Sequence, residues 1–196
     1  MKGFCMTKRL GLISLLCVLA AALATGCAGL RGGGGASSGA AATGVGPGWS
    51  KRMEDRRIAM ERATRGSNVE ITRTTDNQLK LVVPNDISFD PNGYALKPGL
   101  RGMLDRFAGL LAGDRTAQLT VVGHTDTSGG DAVNNPLSLD RAQSVRDYLV
   151  GRGVSATQIR TVGRGAREPI VDNATDAGRA RNRRVEIFLG EQGPAG

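Results

Sequence analysis

The stretch Val121–Val145, VVGHTDTSGGDAVNNPLSLDRAQSV, decides how this chain is read. Val121 and Val122 close an apolar run that begins at Leu119, as the end of a buried strand would. A polar, Gly-rich loop follows. A helical period then starts at Ser138, read as the N-cap, and runs to Gly151 with Leu139, Ala142, Val145 and Leu149 on one face. The loop carries Asp126, and the first turn of that helix carries Arg141, off the apolar stripe and therefore expected to face outward. A strand end and a helix start joined by such a loop bring one carboxylate and one guanidinium to the same rim. The pair suits a zwitterion, with Asp126 accepting from an ammonium and Arg141 gripping a carboxylate. It reads equally as an ordinary surface ion pair, worth little.

Working outward, a second helical period precedes the strand. Pro98 suits a first turn, Leu100, Met103, Leu104, Phe107, Leu110 and Leu111 recur at three and four spacings, and Gly113 ends it. Further upstream, Val69–Thr72 alternates, Asp76-Asn77 turns the chain, and Leu79–Val83 returns as a hairpin partner stopped by Pro84. Ile87-Ser88-Phe89 is a short apolar piece before the turn signal Asp90-Pro91-Asn92-Gly93. Downstream, Ser155 caps a single turn before a strand from Ile159 to Gly163, and Val185, Ile187 and Leu189 alternate in a last strand. The pattern predicts an α+β domain over residues 69–190, a two-layer sandwich with helices on one face of a mixed β-sheet, and a tail at 191–196.

The N-terminal third reads differently. Lys2, Lys8 and Arg9 precede the apolar run Leu10–Leu23, which is too short to span a bilayer comfortably. The run closes with Leu23-Ala24-Thr25-Gly26-Cys27, the pattern of a bacterial lipobox, so residues 1–26 read as a lipoprotein signal and Cys27 as the lipidated residue. Cys5 and Cys17 lie in the removed segment, which leaves no intrachain disulfide and no thiol for catalysis or a metal. Ala28 rather than Asp follows Cys27, which favours the outer membrane, with the domain facing the periplasm. Residues 27–48 form a Gly/Ala-rich tether, about 25 Å long as a coil and on the order of 70 Å stretched. Residues 49–68 carry many charges, and Trp49, Met53, Met60 and Ala63 give only a broken stripe interrupted by Arg56 and Arg57. This segment reads as a marginal helix or solvated stalk, able to meet an envelope protein.

The net charge of +8 belongs to these leading segments. Residues 69–196 hold sixteen basic and fifteen acidic residues. A nucleic-acid-binding face needs basic residues concentrated with stacking aromatics, and the domain offers neither.

The run GHTDTSG, then Asn134, LSLDRA, GRG and NRRVEI, in that order and spacing, resembles the peptidoglycan-binding C-terminal domain of the OmpA family from Val69 to about Gly190. The resemblance implies non-covalent binding of the cell-wall stem peptide through its diaminopimelate residue, with no catalysis. It places Asp126 and Arg141 on the two ligand-holding positions, Thr125 beside them, and Asn134 on the pocket wall. Phe89-Asp90 resembles the pocket-side turn, although Pro91-Asn92-Gly93 departs from it. Asn182 and Arg183 are candidates for a third side, or else solvated polar residues at a strand start.

Other chemistry is poorly supplied. His124 is the single histidine, so a site drawn with Asp126 and Asp131 makes a weak ligand set, and neither a metal nor a cofactor is expected. Its expected task is to hydrogen-bond the loop backbone and hold Asp126. No Ser-His-Asp set, nucleophilic cysteine or multi-histidine zinc motif is present, and only Asp126 with Asp90 could be drawn as a glycosidase pair, against the resemblance. A membrane-to-wall tether and an envelope adaptor acting through residues 49–66 remain as function classes; a stator-like subunit would need an uncleaved membrane helix. Cys27→Ser is expected to leave an uncleaved or soluble precursor on fractionation. A processed form still in membranes would show the anchor assignment wrong.

Overall fold

The computed structural model describes residues 48–192; the signal, Cys27, the tether up to residue 47 and residues 193–196 lie outside them. Strand β1 (Glu70–Arg73) pairs antiparallel with β2 (Leu79–Pro84). The turn between them places Asn77 in the left-handed region, which asparagine tolerates. A short helix α2 (Asn85–Ser88) leads through the Asp90–Gly93 turn to helix α3 (Pro98–Leu111) and strand β3 (Ala117–His124). Helix α4 (Asp131–Gly151), a 3₁₀ turn (Ala156–Gln158), strand β4 (Ile159–Gly165), helix α5 (Asp176–Asn182) and strand β5 (Arg184–Glu191) complete the fold.

The sheet order is β1-β2-β5-β3-β4. Strand β5 lies antiparallel between β2 and β3, and β3 pairs parallel with β4, so the sheet is mixed. Leu79, Leu81, Val83, Leu119, Val121, Val185, Ile187 and Leu189 are buried together with the apolar stripes of α3 and α4, as an α+β two-layer arrangement requires. The strands and α3 fall where the alternation and the 3.6 period put them.

The segment read as a marginal helix or a solvated stalk is a helix, and it is part of this core. Lys51–Ala63 forms helix α1, capped by the Ser50 hydroxyl accepting from the Met53 N–H at 3.0 Å. Trp49, Met53 and Met60 are buried in the same cluster as α3 and the sheet. Arg56 breaks the stripe in sequence but not in space. It is buried, and pairs with Asp114 before β3 and with Glu191 at the end of β5, the latter at 3.3 Å. Partners that far along the chain neutralise a cation that local reading leaves facing water.

Helix α4 also departs from expectation. It begins at Asp131, seven residues before Ser138, with Gly130 as its N-cap. Ser138 is fully buried in the helix interior, donating to the Asn135 carbonyl and accepting from the Gly165 N–H, each at 2.9 Å. Pro136 lies inside the helix, where a missing N–H and ring crowding cost about 3 kcal/mol. The resemblance of Ser138 to a cap hid its tertiary task.

Close packing fixes the helix. A Cβ at Gly123 would lie 1.9 Å from the Ser138 carbonyl oxygen, and one at Gly163 would lie 2.8 Å from the Leu139 nitrogen. Glycine at both positions lets α4 cross β3 and β4 almost backbone on backbone.

The burial of α1 predicts that Met60→Ala costs about 2–5 kcal/mol in chemical denaturation, as for other truncated core side chains. A solvated stalk would show no measurable change.

Candidate functional site

At the end of the sheet where β3 stops, a pocket of about 680 Å³ opens between α2, the Asp90–Gly93 turn, the loop after β3 and the first turns of α4. That volume suits a small-molecule or short-peptide ligand. Thr125, Asp126, Asn134, Arg141 and Arg183 all border it.

Asp126 sits two residues beyond β3, held by backbone on both sides. Thr125 N–H donates to the Gly165 carbonyl at 2.9 Å, and the Asp126 carbonyl accepts from Asn134 Nδ2 at 3.0 Å. Its carboxylate accepts from the Ser128 N–H at 2.8 Å and from Arg183 Nη1 at 2.7 Å. Burial alone would push this carboxyl up, but Arg183 and Ser128 together hold it below the ordinary aspartate value. It is therefore an anion throughout the neutral range, the opposite of what a general acid needs. Thr125 is buried, and its hydroxyl has no hydrogen-bond partner among the described residues.

Arg141 corrects the sequence reading twice. It lies in the third turn of α4 rather than the first, and only 3% of it is exposed. Nε donates to the Gly93 carbonyl at 2.9 Å, and the guanidinium carbon stands 5.2 Å from the centre of the Phe89 ring. The departure at Pro91-Asn92-Gly93 supplies that carbonyl: Asn92 takes a left-handed conformation and Gly93 N–H closes the turn onto Asp90 at 3.0 Å. Among the described residues no carboxylate lies within ion-pairing distance of Arg141. Burial, with some repulsion from Arg183, lowers its pKa to about 10 against the pull of Asp126, and it stays charged at neutral pH.

Three other candidates take different places. Asp90 is exposed, pairs with Lys97 at 3.2 Å and does not line the pocket, so it cannot serve with Asp126 as a carboxylate pair. Asn182 is fully buried beneath the site, accepting from Ile170 N–H at 2.9 Å and donating to the Val171 carbonyl at 2.8 Å, which makes it a brace for the loop before α5. Asn134 borders the pocket but commits its amide N–H groups to the Asp126 and Gly129 carbonyls. Sequence reading missed Leu137 and Val133 on the wall, because α4 was started too late, and Lys97 at the rim.

His124 does not hydrogen-bond the loop. It points to the sheet face away from α4, with Nε2 3.7 Å from Glu186. Glu186 is buried there, and Lys80 at 3.0 Å and Arg184 at 2.8 Å bond its Oε1. Burial would raise this carboxyl, yet His124, Arg184 and Lys80 bring it down to about 2. Arg184 also donates to the Asn182 and Glu168 carbonyls. The cluster so fixes the strand positions next to both Thr125 and Arg183. No group of three or more metal-ligating side chains occurs among the described residues.

A mixed sheet with α4 across its parallel pair, and an aspartate and buried arginine at its end, defines the class, and comparison with known proteins agrees. Residues 88–183 match the model of the OmpA family. The chain carries an OmpA-family domain. It is 39% identical over 145 residues to the "Probable lipoprotein YiaD" of Escherichia coli K12, covering 74% of this chain and 66% of that one. It is 45% identical over 111 residues to the "Peptidoglycan-binding protein ArfA" of Mycobacterium tuberculosis H37Rv, covering 57% of this chain and 34% of that protein. The solved "cell wall anchor of the T6SS from Pseudomonas aeruginosa" superposes with a TM-score of 0.60 at 28% identity, over 69% of this chain and 99% of that one. The chain thus spans about a third to two thirds of the curated relatives quoted.

The Glu186 cluster generates a pH prediction. Its folded value lies below the ordinary 4.5, so it contributes stability above that pH and loses it as the pH falls towards about 2. Glu186→Gln is expected to cost on the order of 3 kcal/mol at pH 7 and to flatten the loss of stability between pH 4.5 and 2 in urea titrations.

Proposed function

We propose that this chain binds peptidoglycan non-covalently through the diaminopimelate of the stem peptide. In this reading it is held by lipid on Cys27 at the periplasmic face of the outer membrane, so that it tethers membrane to wall. The observation that carries the reading is the buried Arg141 guanidinium, without a carboxylate of its own, beside an ionised Asp126 in a pocket. A cation kept in that state is costly to fold and is accounted for by a ligand carboxylate.

The chemistry follows from the placement. Arg141 takes the terminal carboxylate of the side chain, Asp126 takes its ammonium, and the Thr125 hydroxyl is available to either group. Leu137 and Val133 provide an apolar wall for the methylene chain between them. Nothing in this arrangement attacks a bond. The names carried by the relatives, a lipoprotein and a peptidoglycan-binding protein, support the same reading. The adaptor alternative loses ground because Trp49, Met53 and Met60, its apolar contacts, lie inside the fold.

Calorimetric titration of the full chain in detergent should show binding to a diaminopimelate muropeptide about tenfold or more tighter than to lysine-type or amidated forms, which lack the free side-chain carboxylate. Equal affinity for the three would sink the model. Arg141→Met should lower the affinity for the free-acid form about ten- to hundredfold without lowering the melting temperature, since it removes a buried unpaired charge. A variant that melts far earlier would mark Arg141 as structural.

A further inference from the structure

The guanidiniums of Arg141 and Arg183 meet the Asp126 carboxylate in a pocket that Asp86 and Lys97 also line, and the two arginines are held in different ways. Arg141 is held through Nε by the Gly93 carbonyl and across its face by the Phe89 ring, and is 3% exposed. Arg183 is fixed only through its backbone. Its N–H donates to the Arg179 carbonyl at 3.0 Å, its own carbonyl accepts from Asn85 N–H at 3.0 Å, and its neighbours Asn182 and Arg184 are buried. The side chain itself is 33% exposed and has a single partner among the described residues, the Asp126 carboxylate. That carboxylate is the group expected to receive a ligand ammonium. A movable cation so occupies the place of the ligand's cation, while a fixed one waits for the ligand's anion.

We propose that Arg183 is the placeholder of this site: it holds the Asp126 carboxylate until a ligand ammonium displaces it, and its released guanidinium then takes an acceptor oxygen on the same ligand. The inference rests on the wall-binding reading and adds a source of selectivity to it. A ligand that brings only an ammonium must break the Asp126–Arg183 pair and leave Arg183 with nothing in return. A ligand that brings an ammonium together with carboxylate oxygens replaces every bond it breaks. Before binding, the pair also keeps two opposite charges satisfied at a half-open rim, where an unpaired aspartate would attract any passing amine. The apparent affinity of an amine for Asp126 is reduced by the fraction of time that Asp126 is free.

The test compares wild type, Arg183→Ala and Arg183→Gln by calorimetric titration of the full chain with a diaminopimelate muropeptide and a lysine-type muropeptide. Removing the placeholder should move the two affinities in opposite directions. The lysine-type peptide should bind about threefold or more tighter than to wild type, because Asp126 is open. The diaminopimelate peptide should bind about tenfold weaker, because one charge-assisted contact is lost. Equal weakening of both would make Arg183 a mere brace for Asp126 and overturn the proposal, as would no change in either. Loss of the fold in both variants, seen by circular dichroism, would also overturn it, since a movable side chain is not a strut. A wild-type chain that binds neither peptide would instead sink the wall-binding reading, and it is told apart because the failure precedes any substitution.

Discussion

The contact on which the rest depends is the crossing of α4 over β3 and β4 at Gly123 and Gly163. A methyl group at Gly123 would overlap the Ser138 carbonyl, so the helix backbone rests directly on the strand. At that distance the hydroxyl of Ser138 reaches the Gly165 N–H, and Asn134, one turn earlier, reaches the Asp126 and Gly129 carbonyls. These bonds tie the helix to the loop that carries Asp126. They also offset the hydrogen bond that Pro136 removes, so an unfavourable residue is tolerated where tertiary bonds hold the helix on either side. Lift the helix by one methyl, and Arg141 and Asp126 no longer share a pocket.

Charge is placed against the usual preference for exposure, and each instance has a local reason. Arg56 is buried between Asp114 and Glu191, which closes α1 onto the domain. Glu186 is buried among Lys80, Arg184 and His124, which stiffens the far face of the sheet behind the pocket. Both are balanced by opposite charge. Among the described residues, Arg141 is buried with a carbonyl and an aromatic ring and no anion. That imbalance is what the proposed ligand carboxylate would relieve, whereas the charges of Arg56 and Glu186 are already met within the chain.

The strands, α3 and the pair of Asp126 with Arg141 were legible because each rests on local pattern or on a specific motif. What was not legible depends on partners distant in sequence. The stripe Trp49, Met53, Met60 looked broken because nothing near Arg56 announces Asp114 or Glu191. Ser138 carries every mark of a cap, and only the proximity of Gly165 makes it an interior residue. Helix α5 has no apolar period; its local signals are Thr175 capping the Gly178 N–H, Asp176 in the first turn and Arg179 and Arg181 in the last. Asn182 and Arg183 read alike as candidates for a third side of the pocket, yet they divide: the first is fastened to the Ile170–Val171 backbone, and the second reaches Asp126.

The ends of the sheet explain why α1 belongs to the domain. Gly48 lies against Asn77, at the β1–β2 turn, which is one end of the sheet. Strand β2 then runs six residues, about 20 Å, to Pro84 and delivers Asn85 to the pocket at the other end. Strand β5 makes the return trip, from Arg183 at the pocket to Glu191, which holds Arg52 and Arg56 of α1. Gly48 therefore meets the domain at the end away from the pocket, and α1 fastens that junction to the same strand that starts beside the pocket. Trp49, just ahead of α1, and Arg56, in its second turn, are buried at this junction, so the first described residues are part of the domain and not a separate stalk.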